Sequence, residues 1–151
     1  MFTKRNILLI VTFVIFVFTP IASAEISEED VVLGGLVPRT DLSNAFAIYG
    51  NPDRAENQHY YWGDGFKVIT NNRNMMTMII TTAYNGIATP TGLHVGSTVS
   101  EMYMIYGRPD ETNLEINGNG YVYFYDGGPV CFHIKAENDT IKEISASRYI
   151  K

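Results

Sequence analysis

The stretches AIYGNPD (residues 47–53) and MIYGRPD (residues 104–110) share Ile-Tyr-Gly and Pro-Asp in the same places. A phrase that recurs within one short chain is either duplicated architecture or a loop reused for chemistry. Extending the comparison outward decides between them. From Gly35 and Gly92 onward the two segments stay in one register: Leu36 aligns with Leu93, Thr40 with Ser97, Leu42 with Val99, Phe46 with Tyr103, and Gly50 with Gly107.

Each segment has the spacing of a short amphipathic helix. Leu42, Ala45, Phe46 and Tyr49 recur at i, i+3, i+4 and i+7, as do Val99, Met102, Tyr103 and Tyr106. Thr98 and Glu101 have the spacing of a capping box, and Asp41 can cap the first helix alone. Gly50 and Gly107 are expected to end the helices in the left-handed conformation, and Pro52 and Pro109 to prevent them restarting. The phrase is therefore a helix terminator with an anchoring tyrosine. Phe46 and Tyr103 are expected to be buried against a sheet.

A β pattern follows each helix. HYYW, FKVIT and MMTMIITT, then YVYFY, PVCFHIKA and TIKEISAS, are separated by turns rich in Gly, Asn and Asp, so each set reads as an antiparallel meander. AYNGIATPTG (residues 83–92) links the sets, and INGNG (residues 116–120) forms a loop. The expected fold is α+β: two tandem helix-plus-antiparallel-meander repeats, with both helices on one side of one curved antiparallel sheet or of two abutting ones.

The N-terminus reads as an export signal. Lys4 and Arg5 precede the apolar run ILLIVTFVIFVF, and Ala22 and Ala24 place a small-x-small cleavage site before Glu25. The run is shorter than the roughly 20 residues of a spanning helix; a retained anchor is the alternative. The expected organisation is a signal peptide at 1–24, a first repeat at 25–83, and a linker with the second repeat at 84–151. This makes the protein periplasmic or secreted, without stable membrane insertion after cleavage. The lone Cys131 excludes an intrachain disulfide. A net charge of −5 without a basic cluster argues against nucleic acid as a partner.

The capped helix, Tyr-Gly-x-Pro and meander, carried by LGGLVPRTDLSNAFAIYGNPD and TPTGLHVGSTVSEMYMIYGRPD, resemble the tandem-repeat fold of beta-lactamase inhibitory protein. They are similar also to the single-copy fold of the SmpA/OmlA outer-membrane assembly lipoproteins. The chain lacks the disulfides associated with the first and the lipid-attachment cysteine of the second, so no inhibitory residue and no assembly role is carried over.

Candidate chemistry is sparse. Cys131 and His133 share one strand face and form a possible thiol–imidazole pair, beside the plainer reading of a packed thiol next to a surface imidazole. SEED (residues 27–30) reads as a solvated end rather than a calcium loop, and Asn138–Thr140 as a tight turn rather than a glycosylation site. There is no phosphate loop or dinucleotide fingerprint, and no cofactor is expected. The remaining feature is aromatic. Tyr60 and Trp62 share one strand face, as do Tyr121, Tyr123 and Tyr125, with Val122 and Phe124 expected on the core side. An outward row of tyrosines is the kind of surface protein interfaces favour; tyrosine also simply suits strands. The expected function is an exported, non-enzymatic protein-binding module that presents this aromatic face or its rim loops to an unknown protein partner. A structural envelope scaffold and a thiol hydrolase are the alternatives.

Overall fold

The computed structural model describes residues 25–149; the expected signal peptide lies outside the described residues. The two phrases end two helices, α1 at Ser43–Tyr49 and α2 at Val99–Tyr106. The α2 capping box forms as expected, with Glu101 N–H donating to Thr98 Oγ1 at 3.1 Å and Thr98 N–H donating to the Glu101 carboxylate at 2.7 Å. Before α1, the Asp41 carboxylate accepts the Ser43 N–H at 2.8 Å, and the Ser43 hydroxyl together with this N–H holds its carboxyl below the usual range.

Gly50 and Gly107 terminate the helices by donating to Phe46 O and Tyr103 O, both at 2.9 Å. Their conformation differs from the expected left-handed cap. Gly50 has φ 72 and ψ −159, and Gly107 has φ 69 and ψ −154. This pairs positive φ with nearly extended ψ, a region open essentially to glycine alone, and it turns the chain directly into the sheet.

The strands are β1 (Arg54–Glu56), β2 (His59–Trp62), β3 (Phe66–Thr70), β4 (Met76–Thr81), β5 (Glu111–Leu114), β6 (Tyr121–Asp126), β7 (Val130–Glu137) and β8 (Thr140–Arg148). They form one antiparallel sheet in the order β1-β2-β3-β4-β8-β7-β6-β5. The central seam is β4 against β8, with Ile79 opposite Ala146 and Thr81 opposite Ile144. The sequence reading missed β1 and β5. Both are polar and fully exposed edge strands, so they lack the apolar alternation that marks a strand.

Strand register assigns the faces. Trp62 opposes Phe66, Val68 opposes Ile79, Ala146 opposes Phe132, and Phe132 opposes Tyr125, so these residues share one side. Both helices pack there. The Tyr49 ring lies 4.9 Å from Phe66, and the Tyr106 ring lies 5.6 Å from both Tyr125 and Phe132. Val31, Leu33, Leu36 and Leu93, from the segments before the helices, complete the core. Phe46 and Tyr103 were expected inside but are 38% and 40% exposed. Ala45 and Met102 take the innermost positions, and the two rings flank the helices against Tyr60 and Tyr123.

The ends of each helix are tied to its strands by matching bonds. Trp62 Nε1–H donates to Gly50 O and Tyr125 O–H to Gly107 O, both at 3.0 Å. The Asp53 carboxylate accepts Gly63 N–H at 2.6 Å, and the Asp110 carboxylate accepts Asp126 N–H at 2.7 Å. Ahead of the helices, Met76 N–H donates to Thr40 O and Ile141 N–H to Ser97 O, both at 2.8 Å.

A Cβ at Gly50 would meet nothing within 4 Å, so substitution there tests backbone conformation alone. Gly50→Ala and Gly50→Asn should each cost about 1–3 kcal/mol in a denaturant titration. If asparagine, which tolerates the left-handed region, were accepted without loss, the assigned conformation would be wrong.

Candidate functional site

The five aromatic residues singled out in the sequence lie on the helix-covered face, which corrects the expected orientation. Trp62, Tyr123 and Tyr125 are only 8%, 7% and 1% exposed. Tyr60 is half-buried beside Phe46, and Tyr121 alone stands largely open at the sheet margin. Val122 and Phe124, expected on the core side, point the other way, opposite Lys135 and His133, where Phe124 is nonetheless buried beside the His133 and Tyr149 rings. The cause is the location of hydrogen-bond acceptors. A buried hydroxyl is costly only when unpaired, and the carbonyl at the end of α2 receives the Tyr125 phenol. The same surroundings push the Tyr125 phenol well above its ordinary pKa, chiefly by burial. Tyr106 accepts from Thr91 Oγ1 at 3.0 Å, and Tyr49 donates to the Gly34 carbonyl.

The opposite face of the sheet has neither helix on it. Register places Arg54, Tyr61, Lys67, Ile80, Ser145, His133 and Phe124 there, strand by strand. Ile69 and Met78 are half-buried on the same side. A groove of about 500 Å³ crosses its centre, lined by Tyr61, Lys67, Ile80, Thr82, Lys135 and Glu143. The Arg54 guanidinium lies 4.0 Å above the Tyr61 ring, a cation–π contact that holds the ring in place. Lys135 Nζ is 3.2 Å from Glu143 and 3.9 Å from Glu115. Half-buried Lys67 has no carboxylate within ion-pair distance among the described residues, so the groove presents one cation without its counter-charge. Tyr61, Lys67, Ile80 and Glu143 were not singled out from the sequence. The available signal was the alternation in FKVIT, which sends Lys67 and Ile69 to the side opposite Phe66, Val68 and Thr70.

Cys131 and His133 do share one face, as their spacing requires, but their surroundings keep both neutral. Cys131 is buried, with Sγ 3.3 Å from Ser147 Oγ and 4.0 Å from His133 Nδ1. Burial pushes the thiol pKa up and the imidazole pKa down. A nucleophilic thiol needs the reverse, a thiolate stabilised beside an imidazolium. The SEED segment folds as a 3₁₀ turn at Glu28–Asp30, closed by Ser27 N–H donating to the Asp30 carboxylate at 2.7 Å. Asn138 and Asp139, at φ 50 and 60, form the β7–β8 hairpin turn. Among the described residues there is no group of three or more side chains able to hold a metal, and no helix is long and apolar enough to cross a membrane.

No family model and no curated protein matches the chain. Solved structures similar to it include two of bacterial origin. One is a DUF4309 family protein, YjgB, from Bacillus subtilis, with 17% identity and a TM-score of 0.56 over 76% of this chain and 83% of that one. The other is a cysteine-rich secretory protein from Staphylococcus aureus, with 13% identity and a TM-score of 0.60 over 83% of this chain; the match spans 49% of that protein. At these identities the likeness is one of fold.

The neutral pair has two measurable consequences. Cys131 should resist alkylation in the native state at neutral pH and react fully once unfolded. Because the folded state depresses the His133 pKa, protons bind the unfolded chain more readily. Its contribution to stability is therefore complete above about pH 6.5 and declines as pH falls through that value. Urea midpoints for wild type and His133→Gln should converge in acid; parallel pH profiles would show that His133 is not held neutral.

Proposed function

We propose that this protein is an exported, non-enzymatic protein-binding module, active in the periplasm or outside the cell, that engages its partner through the helix-free face of its sheet. In this reading the module consists of two tandem helix-plus-meander repeats at 25–83 and 84–151, in the manner of beta-lactamase inhibitory protein. Support for the repeat comes from the paired bonds at Thr40 and Ser97 before the helices, and at Gly50 and Gly107 and Asp53 and Asp110 after them, which recur at equivalent places around each helix. Support for export comes from the charged, apolar and small-residue segments at 1–24. One similar structure is itself described as a secretory protein, which is in keeping with that reading.

The observation that carries the binding reading is the helix-free face. A two-layer protein usually turns a polar sheet surface to water. Here half-buried Ile69 and Met78 lie near Tyr61, Lys67 and Arg54, so partly open apolar area, a held aromatic ring and an uncompensated cation occur together. Interfaces enriched in aromatic residues and arginine around a desolvated centre have this composition. The groove is broad and lies on an open sheet, which suits a protruding protein segment better than an enclosed small molecule.

Capture from envelope extract and culture fluid tests the reading. Tyr61→Ala with Lys67→Glu should leave circular dichroism native while weakening capture of a specific partner, with a loss of about 2 kcal/mol or more at the central contacts. Equal recovery of every captured protein by wild type and double variant would remove the helix-free face as the binding surface and favour the envelope scaffold.

A further inference from the structure

The sheet ends in two unlike edges. β1 has only three residues, and its Arg54 is folded over Tyr61. Short strands and charged side chains at an edge discourage further pairing. β5 is one residue longer, contains neither proline nor lysine, and carries its one charged side chain, Glu111, on the face opposite Leu114, so its helix side is left open to a further strand. Its register identifies the backbone groups it leaves free. Glu111 pairs with Phe124 and Asn113 with Val122, and Glu115 N–H donates to Gly120 O at 2.8 Å. Hydrogen-bonded pairs alternate along an antiparallel ladder, so Thr112 and Leu114 turn their N–H and C=O groups away from β6.

The side chains around this edge are sorted by face. On the helix side, Leu114 is 63% exposed and lies opposite Tyr121, which is 50% exposed. The Tyr121 ring is 6.3 Å from Tyr123, which is 6.0 Å from Tyr103, so an apolar strip runs from the edge to α2. On the other side stand Glu111 and Asn113, followed by Glu115, whose lysine neighbour Lys135 is also paired to Glu143.

We propose that β5 accepts an added β-strand from a partner protein, one in which apolar residues alternate with lysine or arginine. The incoming backbone pairs with Thr112 and Leu114. Its apolar side chains extend the Leu114–Tyr121 strip, and its cations meet Glu111 and Glu115 on the opposite face. Strand addition draws affinity from main-chain bonds and specificity from alternate side chains, which is the division this edge offers. Charge disfavours a second copy as the occupant, because antiparallel pairing of two β5 strands brings the glutamates of one copy toward those of the other. The surface lies at the opposite edge of the sheet from Arg54 and Tyr61 and does not depend on the groove.

The test uses the full chain and labelled synthetic peptides of about nine residues, a length that spans a typical strand. The first alternates valine and lysine, the second alternates valine and glutamate, and the third repeats the first with proline at its centre. The expected result in fluorescence anisotropy is saturable binding of the valine–lysine peptide, weakened by about tenfold or more for the other two. Hydrogen exchange should show new protection of the Thr112 and Leu114 amides on binding. Thr112→Pro, which removes an outward amide without touching the β6 ladder, and Leu114→Ser should each weaken binding by about tenfold. Should Thr112→Pro lose native circular dichroism, Leu114→Ser and the amide protection decide. The proposal is overturned if no peptide saturates, if the two amides stay unprotected, or if natively folded Thr112→Pro binds as wild type. Sedimentation that reveals a dimer dissolved by Thr112→Pro would overturn the assigned occupant in favour of self-pairing.

Discussion

The carbonyl of the glycine that ends each helix is the constraint on which the rest of the sheet depends. Gly50 and Gly107 adopt positive φ with extended ψ, and their carbonyls accept from Trp62 and Tyr125. A strand residue that bonds to a helix end must point toward the helix. Because side chains alternate with a period of two, that single bond sets the facing of every residue on its strand. The ladder register then passes the choice to the neighbouring strands. Tyr125 on the helix side puts Phe124 on the opposite face, Phe132 on the helix side and His133 opposite, and the same parity crosses the β4–β8 seam to leave Lys67 and Ile80 on the face without helices. The open surface is thus a consequence of how the helices are capped.

The aspartates that follow complete the joint. Asp53 and Asp110 accept backbone N–H groups from Gly63 and Asp126, beyond the next strand but one. Each carboxylate satisfies a donor at the end of a hairpin strand while its own N–H bonds to Tyr61 O or Phe124 O. Tyr-Gly-x-Pro-Asp is therefore a compact set of instructions: tyrosine packs the helix on the sheet, glycine turns the chain, proline keeps it extended, and aspartate pins the edge strand. Charge-assisted bonds of this kind are among the stronger ones available to a surface loop.

What the sequence disclosed and what it withheld follow from the same physics. Helix limits, capping and the antiparallel meanders were legible because they depend on local residues: Thr98 with Glu101, Gly50 with Pro52, and Asn and Asp in the turns. The facing of YVYFY was not legible, because it depends on an acceptor contributed by Gly107, far away in sequence. Comparing residues by hydroxyl content favours Val122 and Phe124 as the core pair, and this fails once the buried phenol has a partner. The edge strands escaped because their exposed side chains need satisfy no core. The helix-free site was only faintly visible, since Lys67 and Glu143 resemble ordinary surface charges until register places them across one groove.

The distribution of charge over the uncovered face bears on how any partner would be oriented. Arg54 and Lys67 lie toward β1 with Glu56 beside them, whereas Glu111, Asp126 and Glu143 lie on the β5 side of the β4–β8 seam or along it, with Lys135 among them. The chain is acidic overall, yet this face carries both signs rather than being uniformly negative, with its unpaired lysine on β3 and most of its carboxylates beyond the seam. Such a distribution contributes more to the direction of approach and to the rejection of misaligned partners than to affinity. A segment bringing carboxylates would be drawn toward Lys67 and repelled along β5, while a basic strand would be drawn in the opposite sense. The half-buried apolar residues of β3 and β4, Ile69 and Met78, are indifferent to sign and would reward whichever arrangement excludes water. On the proposed reading, sign would select the end of the sheet and burial would supply the holding energy, keeping the groove and the β5 edge chemically distinct.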